Sequence, residues 1–285
     1  MPIKIEQILD RIVIGTANFD SNYGLSKQKD STDALLDCIW ESKIKKLDLS
    51  NGYDFNIRHL NSSERKWSLQ FKIQIDLKSP VESYRGKLEV ILSQLNKSNL
   101  DRILIHNGDR LLEVWGLKVL EKIQRITPIG ITFGLSLYEL KNLYEVLKYE
   151  LVKIVQFPSN VFDRRLDNAR GYLNNNLKLS NVILQARSIF LQGLLVNPNF
   201  SPPVKIEFCK NFLSDWYSWN AFNKLSFTES ALTEVLIYQK FDEITLGIDS
   251  VSQLKEITSS VLRSPRFNVI ETVPEILIDP RQWYK

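Results

Sequence analysis

The sequence predicts an α/β fold, a single-domain (β/α)8 TIM barrel spanning residues 1–285. Eight short apolar or β-branched runs are interleaved with segments of helical spacing, and repeated strand-then-helix order is the signature of a parallel sheet. No Gly-rich dinucleotide fingerprint follows the first run, which favours a closed barrel, with a doubly wound open sheet as the alternative. The length suits one barrel, since single barrels commonly reach this size.

The strands are expected at short runs that end in polar residues. In chain order, the runs are RIVIGT, IKKLDLS, FKIQIDLK, DRILIH, GITFGLS, VKIVQF, NVILQARS and EITLGI. Helical spacing is clearest in STDALLDCIWES, where Ser31 or Thr32 can cap the first turn. The same spacing recurs in YRGKLEVILSQLN, LLEVWGLKVLEKIQ, YELKNLYEVLKY and TESALTEVLIYQ. These segments supply helices between the strands.

A long loop, residues 196–226, is expected between the seventh and eighth strands. In a barrel, a long loop at that place lies on the catalytic face. Trp216 and Trp219 in this loop could line a substrate mouth, although an aromatic cluster more often packs a loop onto the barrel.

Composition and charge exclude several classes of protein. Hydrophobic residues make up 44% and charged residues 25%, the balance of a globular chain and not of a disordered one. The net charge of +4 is spread without a basic block, so nucleic-acid binding gains no support. Cys38 and Cys209 lack metal-ligand spacing, and Cys38 is expected to be a buried free thiol.

The N-terminal stretch predicts the compartment. MPIKIEQILDRIVIG carries charges where a signal peptide needs an apolar core, and no later run approaches the ~20 apolar residues of a membrane span. Two distant cysteines suit a reducing compartment. We therefore expect a cytoplasmic protein that does not bind a membrane.

Polar residues at the ends of the expected strands form the candidate site, because barrel enzymes place their working groups there. Tyr53 lies just past the second strand. The strand-end residues are Asp48, Asp76, Lys78, His106, Ser136, Gln156, Asn160, Arg187, Ser188 and the segment 247–250. Arg187 follows the apolar run VILQA and needs an acidic or ligand partner at a barrel mouth.

An Asp, Tyr, Lys and His at one mouth suit proton donation to a carbonyl that accepts hydride. A free phenol has a pKa of ~10, and a neighbouring cation lowers it by stabilising the phenolate. Asp48 would hold the lysine charged, and His106 would orient the carbonyl oxygen. The alternatives are that Asp48 only caps a loop and that His106 is a satisfied polar group. His59, in NIRHLNSSERK, is expected to be solvated.

Seven segments resemble the aldo-keto reductase family, particularly its bacterial branch found with sugar and polysaccharide biosynthesis genes. They are RIVIGTANFDSNYGLS, LDLSNGYDF, ILIHNGD, GLSLYELKNL, IVQFPSNVFDRRL, ARSIFLQGLL and ITLGIDSVSQLKEI, in the family's order. The resemblance spans nearly the whole chain, and ARSIFLQGLL and QFPSNVFDRR are its most specific pieces. It implies a barrel that reduces carbonyls with NADPH or NADH and holds no metal.

The resemblance also implies roles for individual residues. Asp48, Tyr53 as proton donor, and His106 match the catalytic tetrad. Ser136 and Gln156 would contact the nicotinamide amide, Arg187 and Ser188 would border the cofactor, and the segment 247–256 would hold the adenosine end. The implied cofactor-binding residues are Gly15, Thr16, Ser136, Gln156, Arg187, Ser188, Gly247, Ser250, Gln253 and Glu256. Ser250 can also cap the helix of SVSQLKEI, whose N-terminus is an anion site.

The sequence departs from the family at the catalytic lysine. An ungapped placement puts Asp76 at that position, with Lys78 two residues later on the same face of the expected strand. Lys78 is therefore the expected catalytic lysine, provided the strand is shifted or bulged. Asp76 in that place would raise the pKa of Tyr53 and weaken proton donation.

Smaller departures concern the cofactor and the loops. Gly247 and Gln253 stand where the family has Lys and Arg that grip the NADPH 2′-phosphate, although Lys255 could contribute. Asp54 follows Tyr53 where the family has Gly, and Ile257 replaces the Asn that closes the adenosine motif.

The sequence thus predicts an NAD(P)H-dependent oxidoreductase acting on a small carbonyl substrate, such as a sugar or a sugar nucleotide, as a monomer or dimer. Specificity would lie in loops around Tyr23, Phe55 and Trp216. The alternative is a degenerate barrel without redox activity, which serves as a binding or assembly subunit or catalyses a non-redox reaction.

Overall fold

The computed structural model describes residues 2–20, 30–61, 65–95, 100–169, 171, 181–269 and 272–283. Within them, eight parallel strands close into a barrel in chain order. Two further short strands lie outside the barrel. In chain order, all the strands of the described residues are β1 (Ile3–Lys4), β2 (Ile12–Gly15), β3 (Lys46–Ser50), β4 (Ser68–Ile73), β5 (Leu100–Ile105), β6 (Thr132–Ser136), β7 (Ile154–Pro158), β8 (Ile183–Arg187), β9 (Glu243–Gly247) and β10 (Val261–Leu262). Strands β2 to β9 form the barrel, whereas β1 and β10 form a separate antiparallel pair.

The predicted (β/α)8 fold is confirmed, because helices connect the barrel strands. The α-helices are Thr32–Glu41, Arg58–Asn61, Pro80–Gln94, Gly108–Trp115, Lys118–Ile126, Leu140–Leu147, Arg165–Asn168, Lys210–Phe222, Phe227–Thr233, Val251–Ser259 and Glu275–Ile278. Each of the eight predicted runs supplies residues to a barrel strand. Ser31 caps the first of these helices by accepting a hydrogen bond from the backbone N–H of Ala34.

Two predicted helices differ from the structure. LLEVWGLKVLEKIQ forms two helices, because Gly116 ends the first with a φ of 64°, a conformation that glycine adopts without strain. The α-helix that contains TESALT begins one residue before this segment, at Phe227, and it continues as a π-helical segment over Glu234–Tyr238.

The predicted long loop 196–226 is largely helical. It contains a 3-10 segment, Val204–Cys209, followed by the helix Lys210–Phe222. Trp216 is 1% exposed and stacks on Trp219, and its indole N–H donates to the Leu195 carbonyl at 2.8 Å. The aromatic cluster therefore packs this connection and does not line a substrate mouth.

The cysteines are both free, but their burial differs from the prediction. Cys38 is only half-buried, since it lies at the edge of the buried face of its helix, whereas Cys209 is buried. Burial raises the pKa of the Cys209 thiol. Among the described residues, no helix has the length and apolar character needed to cross a membrane.

The barrel interior is polar. Gln70, Gln156 and Gln185 are each no more than 2% exposed, and all three lie on barrel strands. Cross-strand pairing sets these polar residues beside one another. Gln156 pairs with Gln185 on the neighbouring strand, and Gln70 pairs with Asp48. Barrel interiors are usually filled with branched aliphatic side chains. The strands of this barrel therefore carry polar side chains towards a shared interior.

Candidate active site

A buried ion pair stands at the centre of the candidate site. Lys72 of β4 and Asp48 of β3 meet with 2.7 Å between Nζ and Oδ2, and their side chains are 4% and 1% exposed. The Asp48 carboxylate, together with the neighbouring Tyr53, raises the pKa of Lys72 above its ordinary value, against the opposing effect of burial. Lys72 is therefore a cation at neutral pH.

Tyr53 stands over this ion pair. It lies on the turn after β3, where its backbone N–H donates to the Ser50 carbonyl at 3.1 Å. Lys72 Nζ lies 5.2 Å from the centre of the Tyr53 ring, and Tyr53 is among the groups that raise the pKa of Lys72. The ammonium of Lys72 therefore contacts the Asp48 carboxylate and lies close to the Tyr53 side chain.

His106 completes the group at the end of β5. Its backbone N–H donates to the Ile73 carbonyl at 2.9 Å, and its ring meets that of Tyr53 edge-on at 6.2 Å. Nδ1 lies 3.3 Å from the Ser50 hydroxyl. Burial and the positive charges of Lys72 and Arg187 lower the pKa of His106 to about 3. The imidazole is consequently neutral at physiological pH.

A hydrogen-bond network supports the ion pair from below. Gln70 Nε2 donates to Asp48 Oδ1 and to Gln185 Oε1, each at 2.8 Å. Gln156 accepts from Lys72 at 3.3 Å and donates to Gln185 at 2.8 Å. Gln185 in turn donates to Glu243 at 3.0 Å. Both oxygens of Asp48 are thereby fixed in direction, one towards Lys72 and one towards Gln70.

The prediction of Lys78 as the active-site lysine is wrong in position. Strand β4 ends at Ile73, so Asp76 and Lys78 lie in the exposed loop that precedes the helix Pro80–Gln94. The backbone N–H of Lys78 donates to Asp76 Oδ1 at 3.0 Å. Lys72 occupies the place beside Tyr53, and Asp76 does not compete for it.

The site opens into a cavity of about 850 Å³ at the carboxyl ends of the strands. Asp48, Tyr53, Lys72 and His106 lie in its wall. Of the predicted cofactor residues, the cavity is lined by Gly15, Arg187, Ser188, Gly247, Gln253 and Glu256. This volume is within the range of small-molecule and cofactor sites.

Other predicted cofactor residues lie beneath or beside the cavity wall. Ser136 and Gln156 are buried and bonded to each other at 3.4 Å. Thr16 is also buried, and its hydroxyl donates to the Asp48 carbonyl at 3.1 Å. Ser250 caps the helix Val251–Ser259 by accepting from the N–H of Gln253 at 3.2 Å, as its sequence position predicts.

The segment after β8 carries unusual backbone conformations. Ser188, Leu191 and Gln192 have φ values of 61°, 47° and 58°, and Gly193 has 93°. A non-glycine residue in this region costs about 1–3 kcal/mol and persists only where the surroundings enforce it. All four line the cavity. The strained segment is therefore part of the site wall.

Cavity residues that the sequence patterns missed include Tyr138 and Arg281. The Arg187 and Arg281 guanidinium carbons lie 3.9 Å and 3.3 Å from the centre of the Tyr138 ring. Tyr138 comes two residues after the end of β6, so its position just past a strand end could have predicted a place in the site. Arg281 comes from the C-terminal segment, and its spacing carries no comparable signal.

Three predictions about side chains near the mouth have different outcomes. His59 is half-buried, not solvated: its Nδ1 lies 2.8 Å from Asp33, and it stacks on Phe55. Phe55 is nearly buried. Tyr23 lies outside the described residues.

Comparisons with known proteins support this fold. No protein-family model matches the chain, and no curated protein matches it. Among solved structures, an aldo-keto reductase from Bacillus halodurans in its holo form has a TM-score of 0.64 at 15% identity, covering 87% of this chain and 85% of that one. A glycerol dehydrogenase from Gluconobacter oxydans also has a TM-score of 0.64, at 16% identity over 90% and 88% of the two chains. The chain therefore has the fold of the aldo-keto reductases, which confirms the sequence resemblance at the level of fold.

Proposed function

We propose that this protein is an NAD(P)H-dependent oxidoreductase of the aldo-keto reductase family that reduces the carbonyl of a small, sugar-like substrate. The observation that carries the proposal is the continuous group of Asp48, Lys72, Tyr53 and His106 in the wall of one cavity. A fold alone does not imply a function, whereas these four side chains together have the chemistry that carbonyl reduction needs.

The proposed chemistry follows from their contacts. A bound reduced nicotinamide would supply the hydride that converts the carbonyl carbon to an alcohol carbon. Tyr53 donates its phenolic proton to the carbonyl oxygen, and the charge of Lys72 stabilises the phenolate that remains. Asp48 keeps Lys72 charged and oriented.

His106 acts as a neutral hydrogen-bond donor in this scheme. If Nδ1 accepts the Ser50 hydroxyl proton, as their 3.3 Å separation allows, Nε2 carries the ring proton. That N–H can donate to the carbonyl oxygen and orient it towards Tyr53. Because the pKa of His106 is about 3, the ring does not compete with Tyr53 as a proton donor near neutrality.

The cavity also fits a nicotinamide cofactor. Gly15 and Gly247 pair across β2 and β9 at the cavity wall. A Cβ at Gly15 would approach Thr245 to 3.3 Å, and one at Gly247 would approach Asn18 to 3.2 Å. Both glycines keep the wall free of side chains where an extended ligand needs close backbone approach. Ser188, Gln253 and Glu256 are the polar residues that would hold it.

Cofactor oxidation measured by ultraviolet absorbance over a panel of aldehydes, ketones and sugars tests the proposal. We expect turnover by the wild type and loss of turnover by Tyr53→Phe, with nicotinamide fluorescence showing that the variant still binds cofactor. Failure of the wild type to bind either cofactor and to turn over any carbonyl would contradict the proposal.

The non-redox alternative loses one of its two motivating observations. It rested on Asp76 at the lysine position and on the departures from the family's adenosine motif at Gly247, Gln253 and Ile257. Asp76 is exposed in the loop after β4, whereas the departures in the adenosine motif remain. Lys72 supplies the cation that such a site needs. We therefore favour the reductase.

A further inference from the structure

Arg187 brings a positive charge into the cavity beside the proposed reaction centre, and no carboxylate of the described residues forms an ion pair with it. It ends β8 and is half-buried in the cavity wall. Within the described residues its contacts are the Leu137 carbonyl, 3.3 Å from Nη2, and the face of the Tyr138 ring, and none is an ion pair with a carboxylate. A partly buried guanidinium without an anion carries a desolvation cost.

The neighbouring cations of the cavity do have partners. Lys72 is paired with Asp48. Arg281 forms a bidentate ion pair with Asp279, in which Nε and Nη2 each lie 2.7 Å from a carboxylate oxygen. Because these two charges are already compensated, the remaining net positive charge at this part of the wall belongs to Arg187. Its field reaches His106, where it helps to disfavour the imidazolium.

The guanidinium of Arg187 is also held in place. The guanidinium groups of Arg187 and Arg281 both stack over the Tyr138 ring. The backbone of Tyr138 is fixed in turn, since its N–H donates to Asp109 at 2.7 Å and its carbonyl accepts from Arg165 at 2.8 Å. A guanidinium stacked in this way keeps its edge available for a two-pronged contact with an anion.

We propose that the carbonyl substrate carries an anionic oxygen group, a carboxylate or a phosphate, and that Arg187 binds it. The inference rests on the proposed reductase function and names its substrate class. It differs from the role that the family resemblance implies for Arg187, which is to border the cofactor. The reacting carbonyl would lie at Tyr53 and His106, with the anion at Arg187.

Matched pairs of carbonyl compounds test this inference. Glucuronate with glucose and succinate semialdehyde with butanal differ by a carboxylate, and glyceraldehyde 3-phosphate with glyceraldehyde differs by a phosphate. We expect kcat/KM to be at least about tenfold higher for the charged member of at least one pair, corresponding to ~1.4 kcal/mol. Whether the carboxylate or the phosphate pair shows the preference identifies the anion.

Arg187→Gln should abolish the preference by lowering kcat/KM for the charged substrate about 10- to 100-fold while changing that for its neutral partner less than about threefold. Arg187→Lys keeps the positive charge but loses the planar guanidinium group that binds an anion through two hydrogen bonds. This variant should therefore retain part of the preference for the charged substrate. Arg110→Gln is a matched control, because Arg110 is exposed and pairs with Glu113 on its own helix.

Two further readouts separate this inference from the proposed function. If Arg187→Gln weakens NADH binding and slows charged and neutral substrates equally, Arg187 serves the cofactor and the inference is wrong. Calorimetric titration of each charged and neutral pair member into wild type and Arg187→Gln needs no turnover. Equal binding within every pair by the wild type would overturn the inference even if the protein proves to be a reductase. Selective anion binding lost in Arg187→Gln would support it even if no carbonyl is reduced.

Discussion

Lys72 Nζ lies 2.7 Å from Asp48 Oδ2, and both side chains are almost completely excluded from solvent. A buried ion pair persists only when its remaining hydrogen-bonding capacity is also satisfied. Here Gln70 occupies the second oxygen of Asp48, and Gln156 accepts a second hydrogen bond from Lys72. The pair is thus a fixed element of the site.

Replacing Lys72 by Met should abolish most of the proposed carbonyl reduction. Tyr53 would lose the cation that stabilises its phenolate, so we expect kcat to fall about 10²- to 10⁴-fold. Asp48 would be left as an unpaired buried charge, which costs about 3–5 kcal/mol in the free energy of unfolding. Steady-state kinetics and urea denaturation measure the two effects.

Lys78→Met is the matched control for this variant. Lys78 is exposed in the loop after β4, so we expect kcat and stability to change little. The double variant Asp48→Asn/Lys72→Met should recover stability relative to Lys72→Met without recovering turnover. Loss of turnover in Lys78→Met with retention in Lys72→Met would reverse the assignment of the two lysines.

Gln70 should act as a positioning residue for Asp48. Gln70→Leu leaves Asp48 Oδ1 and the Gln185 side chain without this partner, so stability should fall by about 1–3 kcal/mol. We expect kcat to fall about tenfold, with little change in KM, because Gln70 does not line the cavity.

The pH dependence of kcat in Gln70→Glu distinguishes a positioning role from a purely structural one, because a purely structural role would not change it. A carboxylate at position 70 would repel Asp48 near neutral pH, so kcat should fall further than in Gln70→Leu. As the pH decreases, protonation of the new carboxyl restores a donor to Asp48, and kcat relative to the wild type should rise. A parallel pH profile for Gln70→Glu and wild type would argue against the positioning role.

His106 should make the protein less stable in mild acid. Its pKa is about 3 in the folded protein and near 6.5 when unfolded, so the unfolded state binds more protons between these values. Stability is therefore lost as the pH falls from about 6.5 towards 3. At pH 4.5 the loss from this residue should reach up to about 2–3 kcal/mol.

The comparison of wild type with His106→Asn isolates this contribution. Thermal denaturation at pH 7 and pH 4.5 should show a smaller decrease in Tm for the variant, since asparagine does not titrate. His59→Asn is the control for replacing a histidine elsewhere near the mouth of the cavity. An equal decrease in wild type and His106→Asn would show that His106 carries no such shift.

Bound cofactor should be NADH in preference to NADPH. Asp249 and Glu256 line the part of the cavity that the family resemblance assigns to the adenosine end. At the start of the helix Val251–Ser259, the first N–H donates to Asp30 at 2.7 Å. The 2′-phosphate of NADPH at this place would be repelled by the carboxylates of Asp249 and Glu256. The backbone N–H of Val251 could not bind it, because that N–H already donates to Asp30. Lys255 is exposed on this helix and is not among the cavity residues.

Nicotinamide fluorescence titration should give a Kd for NADH at least about tenfold below that for NADPH, equivalent to ~1.4 kcal/mol. Asp249→Asn should reduce the ratio of the Kd for NADPH to the Kd for NADH, because it removes one negative charge near the 2′-phosphate. Glu145→Gln, which alters an exposed carboxylate on the helix Leu140–Leu147, should leave it unchanged. Tighter binding of NADPH by the wild type would contradict the prediction.

The sequence was sufficient for the barrel and for three of the four central side chains, because strand-helix repetition and strand ends are local patterns. It failed at the lysine for a physical reason. Lys72, Gln74, Asp76 and Lys78 alternate with apolar residues, and this alternation predicts a strand that continues to Lys78. Strand β4 instead ends at Ile73, so Lys72 is the lysine that points into the barrel and Lys78 lies in the exposed loop beyond it.

The contacts of Arg281 and the glutamine network were beyond local patterns. Arg281 reaches Tyr138 across more than half of the chain. Gln70, Gln156 and Gln185 meet only because the barrel closes, since Gln70 and Gln185 are 115 residues apart in sequence. Pairings at that separation depend on shear and strand order, which a single sequence does not display.

The polar interior also has a consequence for folding fidelity. A slip of one residue in β3, β4, β7, β8 or β9 would turn the glutamine or carboxylate of that strand outwards into the helical layer. Such a misaligned barrel would bury unpaired amides and charges in addition to losing packing. The hydrogen bonds beneath Asp48 therefore penalise incorrect strand alignment, and the side chains that hold the proposed reaction centre also select the one strand register in which its residues meet.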